Sequence, residues 1–325
     1  MILDLGLLVA GFIVLFWGAN GLVRGSGSVA LRMRVSPLVV GLTIVAYGTS
    51  MPELVVSVKA GWSGQGAIAV GNVVGSNIFN VALILGIAAL LSPMRIHAKI
   101  LRLDVPLMIG SSLLFVFFYR DQRIVFGEGL FFVLLFAAYT GFNIWMARRD
   151  PCRGEMVLDD GALPEMMSHW GWEVLSILGG LGLLVLGADW LVRSAVSLAQ
   201  AMGVSEAVIG LTIVALGTSL PELATSVVAA WHRQSEIAVG NVIGSNIFNL
   251  LCILGVAALI SPVEGSGIGR LDLWAMVISA GLVLPFFWTR FELNRREGAV
   301  LVSVYVVYLL LLLRQEVWLA PVAGG

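Results

Sequence analysis

Long apolar runs, each broken by a short polar stretch, recur along the chain near residues 5–23, 36–60, 66–92, 104–120, 124–147, 173–192, 205–231, 235–261, 270–289 and 297–320. Each is long enough to cross the hydrocarbon core of a bilayer as a helix. The pattern predicts an all-α transmembrane protein of ten helices. One sizeable polar interval, Arg148 to Trp172, holds Arg148, Arg149, Asp150, Pro151, Arg153, Glu155, Asp159, Asp160 and Pro164. Its chemistry is that of a linker. It divides the chain into a first five-helix unit at 1–147, a linker at 148–172 and a second unit at 173–325. The N-terminal run lacks a basic leader and a small-residue cleavage site, so it is expected to persist as the first helix.

Residues 41–86 align with 210–255 at a constant offset of 169, without a gap, and share 32 of 46 positions. The two halves are copies. An odd number of helices per copy makes the second enter the membrane from the opposite face. The expected fold is therefore two inverted-topology five-helix repeats, an architecture that places a substrate site between the halves near the midplane. Packing alone would retain apolar and small residues in such a duplication. The copies instead share costly polar ones.

Each carries Gly-Thr-Ser-x-Pro-Glu midway along an apolar run: Gly48-Thr49-Ser50-Met51-Pro52-Glu53 and Gly217-Thr218-Ser219-Leu220-Pro221-Glu222. Pro52 and Pro221 lack the N–H that continues a helix, so carbonyls around Ala46–Gly48 and Ala215–Gly217 are expected to lose helical partners. An ionised acid at this depth costs roughly 2.5–3.5 kcal/mol on insertion scales. Two of them, Glu53 and Glu222, with no Lys or Arg at matching depth, call for a bound cation; the bland alternative is a pair of protonated acids acting as interhelical glue. Lys59 lies towards its helix end, where snorkelling accounts for it. The following run of each copy supplies polar stripes at i, i+4, i+8: Asn72, Ser76 and Asn80, then Asn241, Ser245 and Asn249. Gly71 and Gly75, with Gly240 and Gly244, fit small-xxx-small packing. Asn77 and Asn246 lie off the stripes, where capping or cross-linking hydrogen bonds compete with ion contact.

Composition narrows the ion and excludes other classes. At 59% hydrophobic and 12% charged residues, with mean hydropathy +0.97 and net charge −1, the chain has no basic surface for nucleic acid. Cys152 and Cys252 suggest neither a disulfide nor a thiolate metal site, and His97, His169 and His232 fall in or beside connections. An all-oxygen ligand set argues for Ca²⁺, Na⁺ or K⁺ over zinc, copper or iron. No cofactor is expected, and the ions are cargo. Counting Lys and Arg in alternate connections gives thirteen on the linker side against six opposite. That puts the linker in the cytoplasm and both termini outside. Asp4, Asp104, Asp189 and Asp272 sit near predicted helix ends and are expected to be caps or solvated at the interface. The recurring Arg102-Leu103-Asp104 and Arg270-Leu271-Asp272 are read as interfacial anchors.

With these residues in view, the sequence resembles the cation/calcium exchanger superfamily, most closely prokaryotic sodium/calcium exchangers of the YrbG type. The match spans the ten-helix plan and rests on the twice-repeated GTS-x-PE and GN-V-x-GSNIFN segments. The resemblance implies Ca²⁺/Na⁺ antiport at a bacterial inner membrane, with the first helix of each half sliding across the remaining bundle. It implies that Glu53 and Glu222 share Ca²⁺. Thr49, Ser50, Thr218, Ser219 and the carbonyls of Ala46 and Ala215 look like Na⁺ or Ca²⁺ ligands, and Ser76 and Ser245 match flanking Na⁺ ligands. Some members carry an aspartate where this chain has Asn80 or Asn249, so the centre here holds one fewer potential charge. The short linker lacks a Ca²⁺-sensing region. A Ca²⁺/H⁺ antiporter is the alternative, with Glu53 or Glu222 carrying the proton; an intramembrane hydrolase lacks a Ser-Lys or Ser-His pairing at depth.

Overall fold

The computed structural model describes residues 2–149, 166–202, 215–264 and 268–319. Most of the predicted linker, Cys152 and the first part of the predicted 205–231 span lie outside the described residues. The helices are α1 (Ile2–Met33), α2 (Pro37–Thr49), α3 (Met51–Trp62), α4 (Gly66–Leu91), α5 (Ile100–Asp121) and α6 (Phe126–Arg149). They continue with α7 (Trp170–Ala201), α8 (Ala215–Gly217), α9 (Leu220–Trp231), α10 (Ser235–Ile260), α11 (Arg270–Trp288) and α12 (Arg295–Leu319). Among the described residues, seven helices are long and apolar enough to cross a membrane, or eight when the bent pair α2/α3 is taken as one span. This is an integral membrane protein.

Burial separates a central layer from a lipid-facing one. In α4 and α10, 78% of the apolar window is buried, against 17% in α6. Around this pair the halves interlock. α6 crosses α10 where Gly129 meets Gly255, and α12 crosses α4 where Gly298 meets Gly86. A Cβ at Gly129 would lie 2.9 Å from the Gly255 carbonyl oxygen, and one at Gly298 2.8 Å from that of Gly86. These crossings are the same contact under the offset of 169. Two short ribbons repeat the exchange: β1 (Met94–Arg95) pairs antiparallel with β4 (Glu292–Leu293), and β2 (Arg123–Ile124) with β3 (Val263–Glu264). Arg95 stands opposite Glu292 and Arg123 opposite Glu264, so opposite charges face across both ribbons.

α1 and α7 run far past their apolar cores and form one tightly packed pair. A Cβ at Gly18 would fall 2.8 Å from Leu184 N and 2.9 Å from the Gly180 carbonyl oxygen, distances a side chain does not tolerate. Near the Met33 end of α1, Arg32 Nε donates to both carboxylate oxygens of Glu173 at 2.8 and 2.9 Å, and the Ser28 hydroxyl donates to the same group at 2.5 Å. Glu173 is buried and hydrogen-bonded as well as ion-paired, which fastens the start of α7 to α1.

One acidic residue departs from the sequence expectation. Asp104 is fully buried inside α5 rather than solvated, and it accepts the Tyr139 hydroxyl at 2.9 Å. The physical reason is that α5 begins before its apolar run and carries Asp104 into the α5–α6 contact. Its counterpart Asp272 keeps the expected cap, accepting Gly269 N–H at 2.8 Å, and also takes the Tyr308 hydroxyl at 2.8 Å. Asp189 is half-exposed, beside Arg193 one turn on, at 2.8 Å.

Candidate cation site

The predicted break occurs at the serine. α2 and α3 meet at a 48° bend, with Ser50 at φ −83°, ψ 10° between them, and Ser219 takes φ −90°, ψ 8° ahead of α9. Pro52 and Pro221 lie in the first turns of α3 and α9, where a missing N–H costs nothing and the fixed φ suits a helix start. The Ala46 carbonyl is less exposed than the proline argument suggests. It accepts the Ser50 N–H at 3.1 Å and also receives the Thr49 and Ser245 hydroxyls at 3.3 and 3.4 Å. In the second copy the Ser219 N–H turns to Leu216 O at 3.2 Å, away from the Ala215 carbonyl.

The carboxylates are held crosswise. Ser50 Oγ donates to Glu222 Oε1 at 2.7 Å, and Ser219 Oγ donates to Glu53 Oε1 at 2.9 Å. The same serines reach the stripe serines of the opposite helix, Ser50 to Ser245 and Ser219 to Ser76, at 3.0 Å each. Thr49 donates to Asn241 at 3.1 Å and Thr218 to Asn72 at 3.3 Å. Each threonine thus bonds the other half rather than the acid one turn away on its own helix. Each of these side-chain contacts has its partner in the other half, whereas the bonds to the Ala46 carbonyl have none at Ala215 among the described contacts.

The two stripe asparagines nearest the carboxylates are braces. Asn72 Nδ2 donates to the Glu53 carbonyl at 3.2 Å and to Ser57 Oγ at 2.9 Å; Asn241 does the same to Glu222 at 3.4 Å and Ser226 at 2.9 Å. Ser57 and Ser226 are hydrogen-bonding neighbours of the candidate site that the sequence reading passed over. Both lie four residues after the glutamate in a segment retained in both copies, which is the signal that could have found them. Asn77 and Asn246 cross-link α4 to α10 and α5: Asn249 Nδ2 donates to Asn77 Oδ1 at 3.1 Å, Asn77 to the Asn246 carbonyl at 3.3 Å, and Asn246 to Met108 Sδ at 3.5 Å.

What remains uncommitted is mainly oxygen, with Asn80 Nδ2 the one nitrogen among these unpartnered buried atoms of the described residues. Glu53 and Glu222 are 1% and 0% exposed, and the Oε2 of each has no hydrogen-bond partner. Asn80 and Asn249 are fully buried, and their Oδ1 atoms are likewise unpartnered. Leaving such groups buried and unpaired costs about 1–3 kcal/mol each, more for charged ones. Both asparagines sit in wide π-helical turns, Phe79–Leu85 and Phe248–Ile253, which interrupt α4 and α10 just past the serines. Such turns concentrate at functional sites. Carboxylate, hydroxyl and amide oxygens are the ligands of hard cations, and among the described residues no cluster of three or more His, Cys, Asp or Glu is present. Gly240 and Gly244 lie against Leu38 and Leu42 of α2; among the described residues only Ile268 approaches Gly71, and nothing comes within 4 Å of a Cβ at Gly75.

Comparison with known proteins gives the family of the chain. The family model described as sodium/calcium exchanger protein matches twice, over residues 3–145 and 172–314. Inner membrane protein YrbG of Escherichia coli (strain K12) is 33% identical, with 99% of each chain covered. Sodium/calcium exchanger MaX1 of Methanosarcina acetivorans is 34% identical over 94% of this chain and 97% of its own. A structure of the sodium-calcium exchanger NCX_Mj, soaked with zero Na⁺ and Ca²⁺, superposes with a TM-score of 0.81 at 28% identity, covering 96% of this chain and 99% of that one. With two copies of the family's unit and near-full-length relatives, this chain belongs to the sodium/calcium exchanger protein family, a family of transporters and not of enzymes.

Proposed function

We propose that this protein is a secondary-active antiporter exchanging Ca²⁺ for Na⁺ across the inner membrane by alternating access. The reading takes the chain as ten helices in two inverted halves, 1–147 and 173–325, joined by a cytoplasmic linker with both termini outside. One observation carries it: two buried carboxylates, each fixed through one oxygen by the opposite half's serine, each keep the other oxygen unpartnered. Two negative charges balance one Ca²⁺, which Glu53 and Glu222 share.

The remaining oxygens divide by type. Thr49, Ser50 and the Ala46 carbonyl on one side, with Thr218, Ser219 and the Ala215 carbonyl on the other, supply neutral donors suited to Na⁺ or to completing the Ca²⁺ shell. Ser76 and Ser245 flank them as Na⁺ ligands, and Asn80 and Asn249 close the centre with amide oxygens. When Ca²⁺ binds, the serine hydroxyls rotate away from the carboxylates and present lone pairs. Ca²⁺ and Na⁺ compete for the same two carboxylates, so full occupancy by both is excluded. That competition is what couples the two flows.

The test is flux in proteoliposomes. An imposed Na⁺ gradient is expected to drive ⁴⁵Ca²⁺ movement in the opposite direction, and E53Q or E222Q to abolish it. Flux that follows a pH gradient and ignores Na⁺ would overturn the sodium half of the reading in favour of Ca²⁺/H⁺ exchange.

A further inference from the structure

The halves match bond for bond at the carboxylates, yet α1 and α7 lie unequally against them. α1 packs along α9, and Asn20 Oδ1 on α1 sits 2.7 Å from His232 Nε2 at the end of α9. Asn20 is buried there. α7 forms no comparable seam with α3. The matching face of α3 is instead open: Met51 and Val55 are 44% and 64% exposed, whereas their counterparts Leu220 and Ala224 are half-buried; Trp62 and its counterpart Trp231 are both exposed. A cavity of about 400 Å³ lies on this face, lined by Val55, Val58, Lys59, Trp62 and Ser63.

The offset of 169 takes Asn20 to Asp189, Arg24 to Arg193, Val228 to Lys59 and His232 to Ser63. Lys59 is exposed and has no partner among the described residues. We propose that the open face of α3 is where α7 docks in the opposite access state, and that an Asp189–Lys59 ion pair closes that side, as Asn20 and His232 close the other. The inference rests on the alternating-access reading above.

Three observations converge on it. The glycine seam and the Arg32–Glu173 clamp make α1 and α7 one body, so a slide that draws α1 off α9 carries α7 toward α3. Exchanging the conformations of the two repeats, the operation that converts one access state to the other, sets Asp189 opposite Ser63. Lys59 then stands one turn back on the same helix face as Ser63, at i,i+4 spacing. Closure also brings Arg193 toward Lys59, and Asp189 is the counter-charge that lets two cations approach. The two latches are therefore chemically unlike, one a neutral imidazole–amide bond and one an ion pair.

Spin labels on the reconstituted full-length chain test this by double electron–electron resonance. Labels replacing Gln65 and Gln200, both exposed on this side, report docking of α7; labels replacing Met33 and Trp231 report the α1–α9 closure. D189N and K59V are each expected to reduce the short Gln65–Gln200 population several-fold, and the charge-exchanged D189K/K59D chain to recover it. The proposal is overturned if both single variants keep the unsubstituted distribution, if the exchanged pair recovers nothing, or if no short distance forms under any ion condition. Because the readout is a distance, a chain with responsive latches and no Na⁺-driven Ca²⁺ flux would overturn the exchange reading and leave this one standing.

Discussion

Ser50 of the first half donates its hydroxyl to Glu222 of the second at 2.7 Å, and no bond within either half orients these carboxylates through a serine. Removing that donor leaves Glu222 Oε1 buried without it. That bond is given up when Ca²⁺ binds, so the effect on affinity comes from the serine oxygen as a proposed ligand, a contact to a charged group that contributes about 1.5–3 kcal/mol. S50A is expected to weaken Ca²⁺ binding by roughly ten- to a hundredfold, and S219A to do the same through Glu53. Isothermal titration of purified protein reads this directly. A weakening in one variant only would contradict the equivalence of the two halves.

E53Q and E222Q each remove one charge while keeping shape. In the unliganded chain, neutralising a buried acid relieves a desolvation cost, so the fold is expected to hold or gain stability. Ca²⁺ stabilises only what it binds. The melting temperature of the unsubstituted protein should therefore rise with added Ca²⁺, and that of either variant should stay flat.

The sequence displayed the chemistry of this site well and its connectivity poorly. Glu53, Glu222, the serines and the stripe asparagines were all legible because an ionisable or amide residue inside an apolar run has no cheap explanation. The bend at Ser50 followed from Pro52. That Thr49 bonds Asn241, and not the acid one turn along its own helix, was not legible, because i,i+4 reasoning sees one helix while these bonds form between inverted copies. The π-helical turns at Phe79–Leu85 and Phe248–Ile253 have no periodic signature, so the sequence does not show that Asn80 and Asn249 sit in them. Asp104 misled because hydropathy began the predicted span at residue 104, whereas the helix begins at Ile100.

At the α1–α7 seam, Gly18 leaves no room for a methyl group. G18A is expected to push the helices apart and disturb their motion as one body, far from the carboxylates. Turnover should fall while the Ca²⁺ dissociation constant stays close to that of the unsubstituted chain. Parallel flux and binding measurements separate these, and an equal loss in both would mean that the seam shapes the site itself.

His232 makes one side of the cycle sensitive to acid. Burial against α1 holds its pKa below the usual imidazole value, and Arg24 on α1 lowers it further. A group depressed in the closed arrangement contributes stability that is present above its free pKa, about 6.5, and lost as pH falls through the depressed value. The lowered pKa favours the uncharged ring, whose bond to Asn20 forms with no second charge beside Arg24. On acidification the imidazolium is repelled by the Arg24 charge on α1, and the α1–α9 closure should loosen. The Met33–Trp231 label distance is therefore expected to shift toward longer values below the ordinary imidazole range, and H232Q, which keeps a donor without a titrating ring, to remove that shift. A distribution that stays the same from neutral to acid pH would sink the idea.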